Sequence, residues 1–301
     1  MQNESWLENE YPTIVKWGYG SSTQKPLRVV LSLTGKIRTG NRPELIKYWT
    51  QTIKSIKELH NVHLIVTGFT DEMPSYPHWE GPRREIDGSW NSKEGQWTKD
   101  KSNNVYDLQT EAQRIQEVRD AIPFDYFQTE PGPYMLYPDN IEYNRSYQPI
   151  YKFLRSLDPI SDYDIVIKAR FDNIQKVDPL YDGVSIIKEY FAGNILEMIN
   201  NPMLTDDNNA LVLFDNVSMK NYNRKDFDWN TDIHFSDHRF FMNRRAVDDC
   251  RNNIQQVLKE SYPVLIYQLA WSRSICQKNT WIASTSIPAR LTSHIIRPVG
   301  E

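Results

Sequence analysis

Short apolar runs alternate with helix-length amphipathic stretches along the first 170 residues. Residues 28–33 form an apolar run that stops at Thr34-Gly35, and Asn41-Arg42-Pro43 follows. That pattern predicts a helix capped by Asn41, with proline in its first turn, running to about His60. Residues 62–67 repeat the apolar run and close at Gly68, so strand, helix and strand are complete by that point. Such an order opens a parallel α/β sheet. Leu108, Ala112, Ile115, Val118 and Ile122 then recur at helical spacing, and residues 124–128 predict a third strand before Glu130-Pro131-Gly132-Pro133. Residues 145–157 predict a helix leading into a β-branched strand over 164–169, which ends in Arg170-Phe171-Asp172. Residues 210–214 predict a further strand, and helical patterns cover 247–259 and 264–277. The expected fold is α/β: a mostly parallel mixed sheet flanked by helices.

One stretch breaks the alternation. Residues 70–104 are polar, carry Trp79, Trp90 and Trp97, and show neither period, so they read as a large ordered insertion. Its tryptophans either form a small core of their own or offer a platform on which a ligand's apolar face stacks.

Composition narrows the class without naming it. A chain of 301 residues with 39% hydrophobic and 25% charged positions is an ordinary globular one, able to bury a core. A net charge of -4 and a pI near 5.9 argue against a protein built to hold nucleic acid. Cys250 and Cys276 are too few for a disulfide framework or a four-thiolate zinc site, and read as buried thiols in a reducing compartment. Residues 1–10 are polar and acidic and lack the features of a signal peptide. No apolar run approaches the roughly 20 residues of a membrane span. A cytoplasmic protein without an integral membrane segment is the expectation.

The candidate chemistry gathers at the end of the strand over 164–169. Side chains at i, i+2 and i+4 of a strand share a face, so Lys168, Arg170 and Asp172 are expected to leave the sheet together. At the carboxyl end of a strand in an open α/β sheet, where ligands bind, Lys168 and Arg170 would hold a diphosphate. Asp172 would bind a divalent cation, Mn²⁺ or Mg²⁺. Spacing alone leaves a neutralised charge ladder on a solvated strand equally open. His234, Asp237 and His238 also stand at i, i+3 and i+4, the helical spacing of a metal-dependent hydrolase, although their neighbours Ile233, Phe235, Phe240 and Phe241 read as strand and turn.

Residues 163–172, Tyr-Asp-Ile-Val-Ile-Lys-Ala-Arg-Phe-Asp, are followed about sixty residues later by Ser236-Asp237-His238-Arg239-Phe240-Phe241-Met242. This pair resembles the glycosyltransferases related to the WavE lipopolysaccharide-synthesis family and their viral and phage relatives, over about residues 27–245. The resemblance implies a GT-A-like, Rossmann-type fold, with residues 1–301 as one domain. Its nucleotide-sugar-binding half would cover about 27–175 and its acceptor-binding half about 176–301. It implies transfer of a sugar from a nucleotide-sugar donor to a hydroxyl of a glycan or related acceptor, as in polysaccharide biosynthesis.

The first motif stands where such enzymes carry Asp-x-Asp. Arg170 replaces the first carboxylate, and a guanidinium offsets diphosphate charge without a metal. The second resembles their Asp-Gln-Phe segment, with His238 in place of Gln. Asp237 is then the candidate catalytic base for the acceptor hydroxyl, set against capping a helix that starts at Arg239. Trp229 and His238 fall on the acceptor side. Thr34, Gly35 and Arg38 would lie by the base and ribose, although a lone glycine also serves a turn. Arg145 and Gln148, in the first turn of the predicted helix, would reach donor phosphates or sugar, or lie on an ordinary helix surface. By the same resemblance His294 reads as a late metal or diphosphate ligand, set against a surface histidine. A non-catalytic nucleotide- or glycan-binding module of the same fold remains open, because the first carboxylate is missing.

Overall fold

The computed structural model describes residues 26–37, 40–72, 90–91, 96–97, 111–130, 148–177, 183–200, 210–214, 217–219, 233–235, 239–259, 280–284 and 291–295. In chain order the elements are β1 (Leu27–Thr34), α1 (Pro43–Lys57), β2 (Val62–Asp71), β3 (Trp90–Asn91), β4 (Gln96–Trp97), α2 (Glu111–Ala121), β5 (Tyr126–Glu130), α3 (Gln148–Ser156) and β6 (Ile165–Ala169). They continue with β7 (Asn173–Val177), α4 (Gly183–Asn200), β8 (Ala210–Phe214), β9 (Val217–Met219), β10 (Ile233–Phe235), β11 (Arg239–Asn243), α5 (Arg244–Lys259), β12 (Thr280–Ser284) and β13 (Leu291–Ile295).

Seven strands form the central sheet in the order β12-β8-β11-β6-β1-β2-β5. β11 runs antiparallel to both its neighbours, and every other pairing in the sheet is parallel. This is the mostly parallel, mixed α/β sheet that the alternation of runs predicts. From β1 the chain builds outward through β2 to β5, then returns to place β6 on the other side of β1. The order therefore reverses between β1 and β6, and in such sheets the crevice outside the carboxyl ends of those two strands is where ligands bind. Their register is tight: Val29 faces Ile165 and Leu33 faces Ala169.

Alternation along the strands divides the interior. Leu27, Val29, Leu31 and Leu33 of β1, with Ile165, Ile167 and Ala169 of β6, pack one face against α1, α2 and α4 through Trp49, Ile53, Val118, Tyr190 and Phe191. Val30 and Val166 point the other way, to Phe153 and Leu157 beside α3 and to Val247 and Cys250 of α5. Each large apolar side chain so enclosed contributes about 1.5–3 kcal/mol relative to exposure. Cys250 is the buried thiol its composition implies, pushed up to about 12 first by burial. Cys276 lies outside the described residues.

Local departures have local causes. Arg42, not Asn41, occupies the cap position of α1 and makes no side-chain cap bond, while Pro43 sits in the first turn. The Asn41 amide instead donates to Glu117 of α2 at 2.8 Å, a long-range bond that spacing along one helix does not reveal. β5 begins two residues later than expected because Phe124 closes a turn onto Ile122 and Asp125 accepts from the Val66 amide at 2.7 Å. Within the insertion, β3 and β4 pair antiparallel, Trp90 opposite Trp97; Trp79 lies outside the described residues. Among those residues no helix is long and apolar enough to cross a membrane.

Candidate active site at the carboxyl ends of β1 and β6

β6 stops at Ala169, and the chain turns at once through Arg170, Phe171 and Asp172 into β7. The turn is closed by the Asn173 amide donating to the Arg170 carbonyl at 3.3 Å. Arg170 and Asp172 face each other across it: Nε donates to Oδ1 at 2.8 Å and Nη2 to Oδ2 at 2.6 Å. This two-point fork is the strongest geometry open to a guanidinium and a carboxylate. Asp172 is wholly buried, and 16% of the Arg170 side chain is open to solvent. A cation held by two hydrogen bonds and partly open to solvent thus stands just past the carboxyl end of β6.

Phe171 between them is fully buried and roots the turn in the apolar face, its ring 6.4 Å from Phe124 and 6.3 Å from Phe127. Its carbonyl accepts from the Trp49 indole at 3.1 Å. Gly40, from the loop after β1, lies so close that an added Cβ would meet the Phe171 Cβ at 2.8 Å. The loop that leaves β1 and the turn that leaves β6 therefore press directly together.

At the end of β1, Thr34 is buried and its Oγ1 makes no hydrogen bond among the described residues. Gly35 follows at φ +115°, where an L side chain is strained, and its amide donates to the Phe69 carbonyl at 3.2 Å. That conformation brings bare backbone to the crevice, the use to which glycine is put near ligands. Lys36 then turns back onto Asp71, the last residue of β2.

Asp71 is the centre of a charge cluster that the sequence reading did not find. It is completely buried and accepts from both Lys36 and Lys152 of α3. Burial alone would raise its carboxyl, but Lys152 and Lys36 outweigh burial and hold it below the usual range. Beside it in register stands Glu130 of β5, whose carboxyl is pushed up by burial, with Lys152 opposing and Asp71 adding to the rise. The available signal was an interruption of pattern: Lys152 and Ser156 fall one turn apart on the face of α3 that otherwise buries Phe153 and Leu157. Ser156 meets Ser32 of β1 at 2.6 Å.

The expected trio does not form one exposed row. Lys168 is fully enclosed, its ammonium 5.4 Å from the centre of the Phe240 ring, whereas Arg170 and Asp172 belong to the turn. The alternation that would align all three fails because the strand ends between them. Gln148 begins α3, as expected of a first-turn residue. Arg38, Arg145, Trp229, Asp237 and His238 lie outside the described residues. His234 sits in β10 and His294 in β13, opposite Ile174 of β7. Strands at 233–235 and 239–243 replace the helix that His-x-x-Asp-His spacing would need. The same β11 removes the helix that Asp237 would have capped.

For the divalent cation implied by the resemblance, the described residues are a poor fit. No group of three or more His, Cys, Asp or Glu side chains among them is arranged to hold a metal ion. Both Asp172 oxygens already accept from Arg170.

No family model matches the sequence, and no curated protein matches it. Among solved structures the chain is similar to an active-site mutant of LgtC, with TM-score 0.38 and 12% identity, covering 85% of this chain and 72% of that one. It is also similar to a putative glucose-1-phosphate thymidylyltransferase from Bacillus anthracis, with TM-score 0.38, 9% identity and 89% coverage of each chain. A UTP-bound UGPase from Acinetobacter baumannii follows, with TM-score 0.35, 10% identity, and coverage of 89% and 87%. At these values the functional reading rests on the site's own geometry.

Proposed function

We propose that this chain is a glycosyltransferase that moves a sugar from a nucleotide-sugar donor to a hydroxyl of a glycan or related acceptor. The observation that carries the reading is the Arg170–Asp172 pair at the switch point between β1 and β6. A diphosphate lying in that crevice would meet a cation already fixed in place. As the bond from sugar to diphosphate breaks, negative charge grows on the leaving group, and a preorganised guanidinium stabilises it without reorganising. Asp172 orients that guanidinium. Gly35 lets the ligand approach the backbone at the end of β1, where the buried Thr34 hydroxyl makes no hydrogen bond among the described residues. Asp237, on the peptide leading into β11, would take the proton of the acceptor hydroxyl.

The test is a thermal-shift panel of nucleoside diphosphates with and without Mn²⁺, followed by donor hydrolysis with the nucleotide that stabilises the chain. One nucleotide should stabilise it with or without Mn²⁺, because Arg170 already supplies positive charge. Asp172→Ala and Asp237→Ala should each lower turnover by about 10²-fold or more. No stabilisation by any nucleotide would sink the reading. Stabilisation without hydrolysis would make the chain a non-catalytic binding module. Wild-type turnover in both variants would leave the class standing and the site misplaced.

A further inference from the structure

Arg239 opens β11, two residues after Asp237 in the chain and opposite Ala169, the last residue of β6. It is fully buried, yet it does not lie on the charged side of the sheet. Its guanidinium carbon sits 5.4 Å from the ring centres of both Tyr190 and Phe191, 5.6 Å from Trp49 and 6.0 Å from Tyr48. Aromatic faces on this scale stabilise a desolvated cation through their quadrupoles. From this box Nη2 donates to Oδ1 of Asn173 at 2.9 Å. Asn173 is itself buried, opens β7, and closes the Arg170 turn through its own amide.

One side chain therefore joins the peptide that follows Asp237 to the turn that carries Asp172. Trp49 belongs to both ends of this link: it walls the box around Arg239 and donates to the Phe171 carbonyl in the same turn. A core hydrophobe at position 239 would fill the space but supply no donor for Asn173. A lysine would supply a donor but not a planar group that stacks on several rings while pointing one N–H along a fixed line.

We infer that Arg239 is a positioning residue, which through Asn173 holds the Arg170–Asp172 turn in place against β11. It touches neither donor nor acceptor. It fixes the orientation of the diphosphate contact at the end of β6, and so rests on the reading given under Proposed function. Positioning of this kind is worth much more to turnover than to binding, since small misplacements of reacting groups are costly.

The experiment compares wild type with Asn173→Ala, Asn173→Asp, Arg239→Met and the Asn173→Ala/Arg239→Met double variant. It reads nucleoside-diphosphate affinity, kcat for donor hydrolysis, and amide exchange across residues 170–173. Asn173→Ala and Arg239→Met should each lower kcat by about a hundredfold, with nucleotide affinity changed only a few-fold. The double variant should be no worse than either single one, because both break one link. Asn173→Asp, which keeps the acceptor oxygen, should retain kcat and the slow exchange of the turn. Effects that multiply in the double variant, or an Asn173→Asp variant as slow as Asn173→Ala, would overturn the proposal. If Arg239→Met does not fold, the Asn173 pair decides alone. A wild type that binds no nucleoside diphosphate would overturn the glycosyltransferase reading, and a role for Arg239 in that reaction with it. In that event, faster exchange in Asn173→Ala would still show the mechanical link.

Discussion

The two faces of the central sheet are built on different principles. Toward α1, α2 and α4 the strands offer Leu31, Leu33, Val66, Ile167 and Ala169, and the helices answer with Trp49, Ile53, Val118 and Phe191. Toward α3 the same strands are apolar at their amino ends, with Val30 and Val166, and become polar at their carboxyl ends, with Ser32, Asp71 and Lys168. Burying charge costs several kcal/mol per ion, repaid only when partners are well placed. A fold seeking stability alone would carry Leu and Val on both faces. The polar end coincides with the topological switch point, so the cost falls where a ligand would use the charges. Arg239 is the exception that the aromatic box accommodates on the apolar face.

Substitutions on either side can break this comparison. The largest stability loss is expected for Asp71→Ala, which leaves Lys36 and Lys152 buried together without their shared carboxylate. Losing one partner of a buried ion pair costs about 3–5 kcal/mol. Urea denaturation measures it, and a loss below about 1 kcal/mol would mean that the cluster is solvated. Leu31→Ala on the apolar face should cost about 2–5 kcal/mol through lost burial and the cavity left behind. Nucleotide affinity should not change in that variant; a parallel loss of affinity would show that the faces are not separable.

Gly40→Ala should cost about 1–3 kcal/mol, because the new methyl must displace the Phe171 turn or the Ile37 carbonyl. Thermal unfolding with and without nucleoside diphosphate tests whether the displacement also weakens the ligand. A variant as stable as wild type would show that loop and turn are not pressed together.

The smallest effect concerns protons. The Asp71 carboxyl is lowered on folding, so its contribution is complete above the ordinary aspartate range and fades as pH falls through the lowered value. Glu130 is raised, so its contribution is complete below the ordinary glutamate range and fades as pH rises through the raised value. Glu130→Gln fixes the neutral form. The variant should gain stability relative to wild type as pH rises above the ordinary glutamate range, read from urea midpoints. A difference that does not change with pH would remove Glu130 from the cluster.

The fold class was legible because strands and helices announce themselves locally. Apolar runs ending in Thr34-Gly35 and at Gly68, and the β-branched run before Arg170, each correspond to a strand of the parallel set. The site was legible only in part. Arg170 and Asp172 stood out by charge at a strand end, but their pairing, and the burial of Lys168, depended on where β6 stops. Asp71, Lys152, Asn173 and Arg239 were not found, because each draws its meaning from a partner distant in the chain. Lys152 lies 81 residues from Asp71, and Arg239 lies 66 from Asn173.

Legible from the order of residues alone were the alternation of elements, the mostly parallel sheet and the strand end at which charge gathers. These follow from hydrophobic period and turn chemistry, which act over a few residues. Packing in three dimensions settles which face of each strand is polar, that Arg170 closes on Asp172, and that Arg239 sits in an aromatic box reaching Asn173. Those outcomes depend on strand order and on which helix covers which face. A buried charge is tolerable only beside its partner, and nothing local to either residue says where that partner will be.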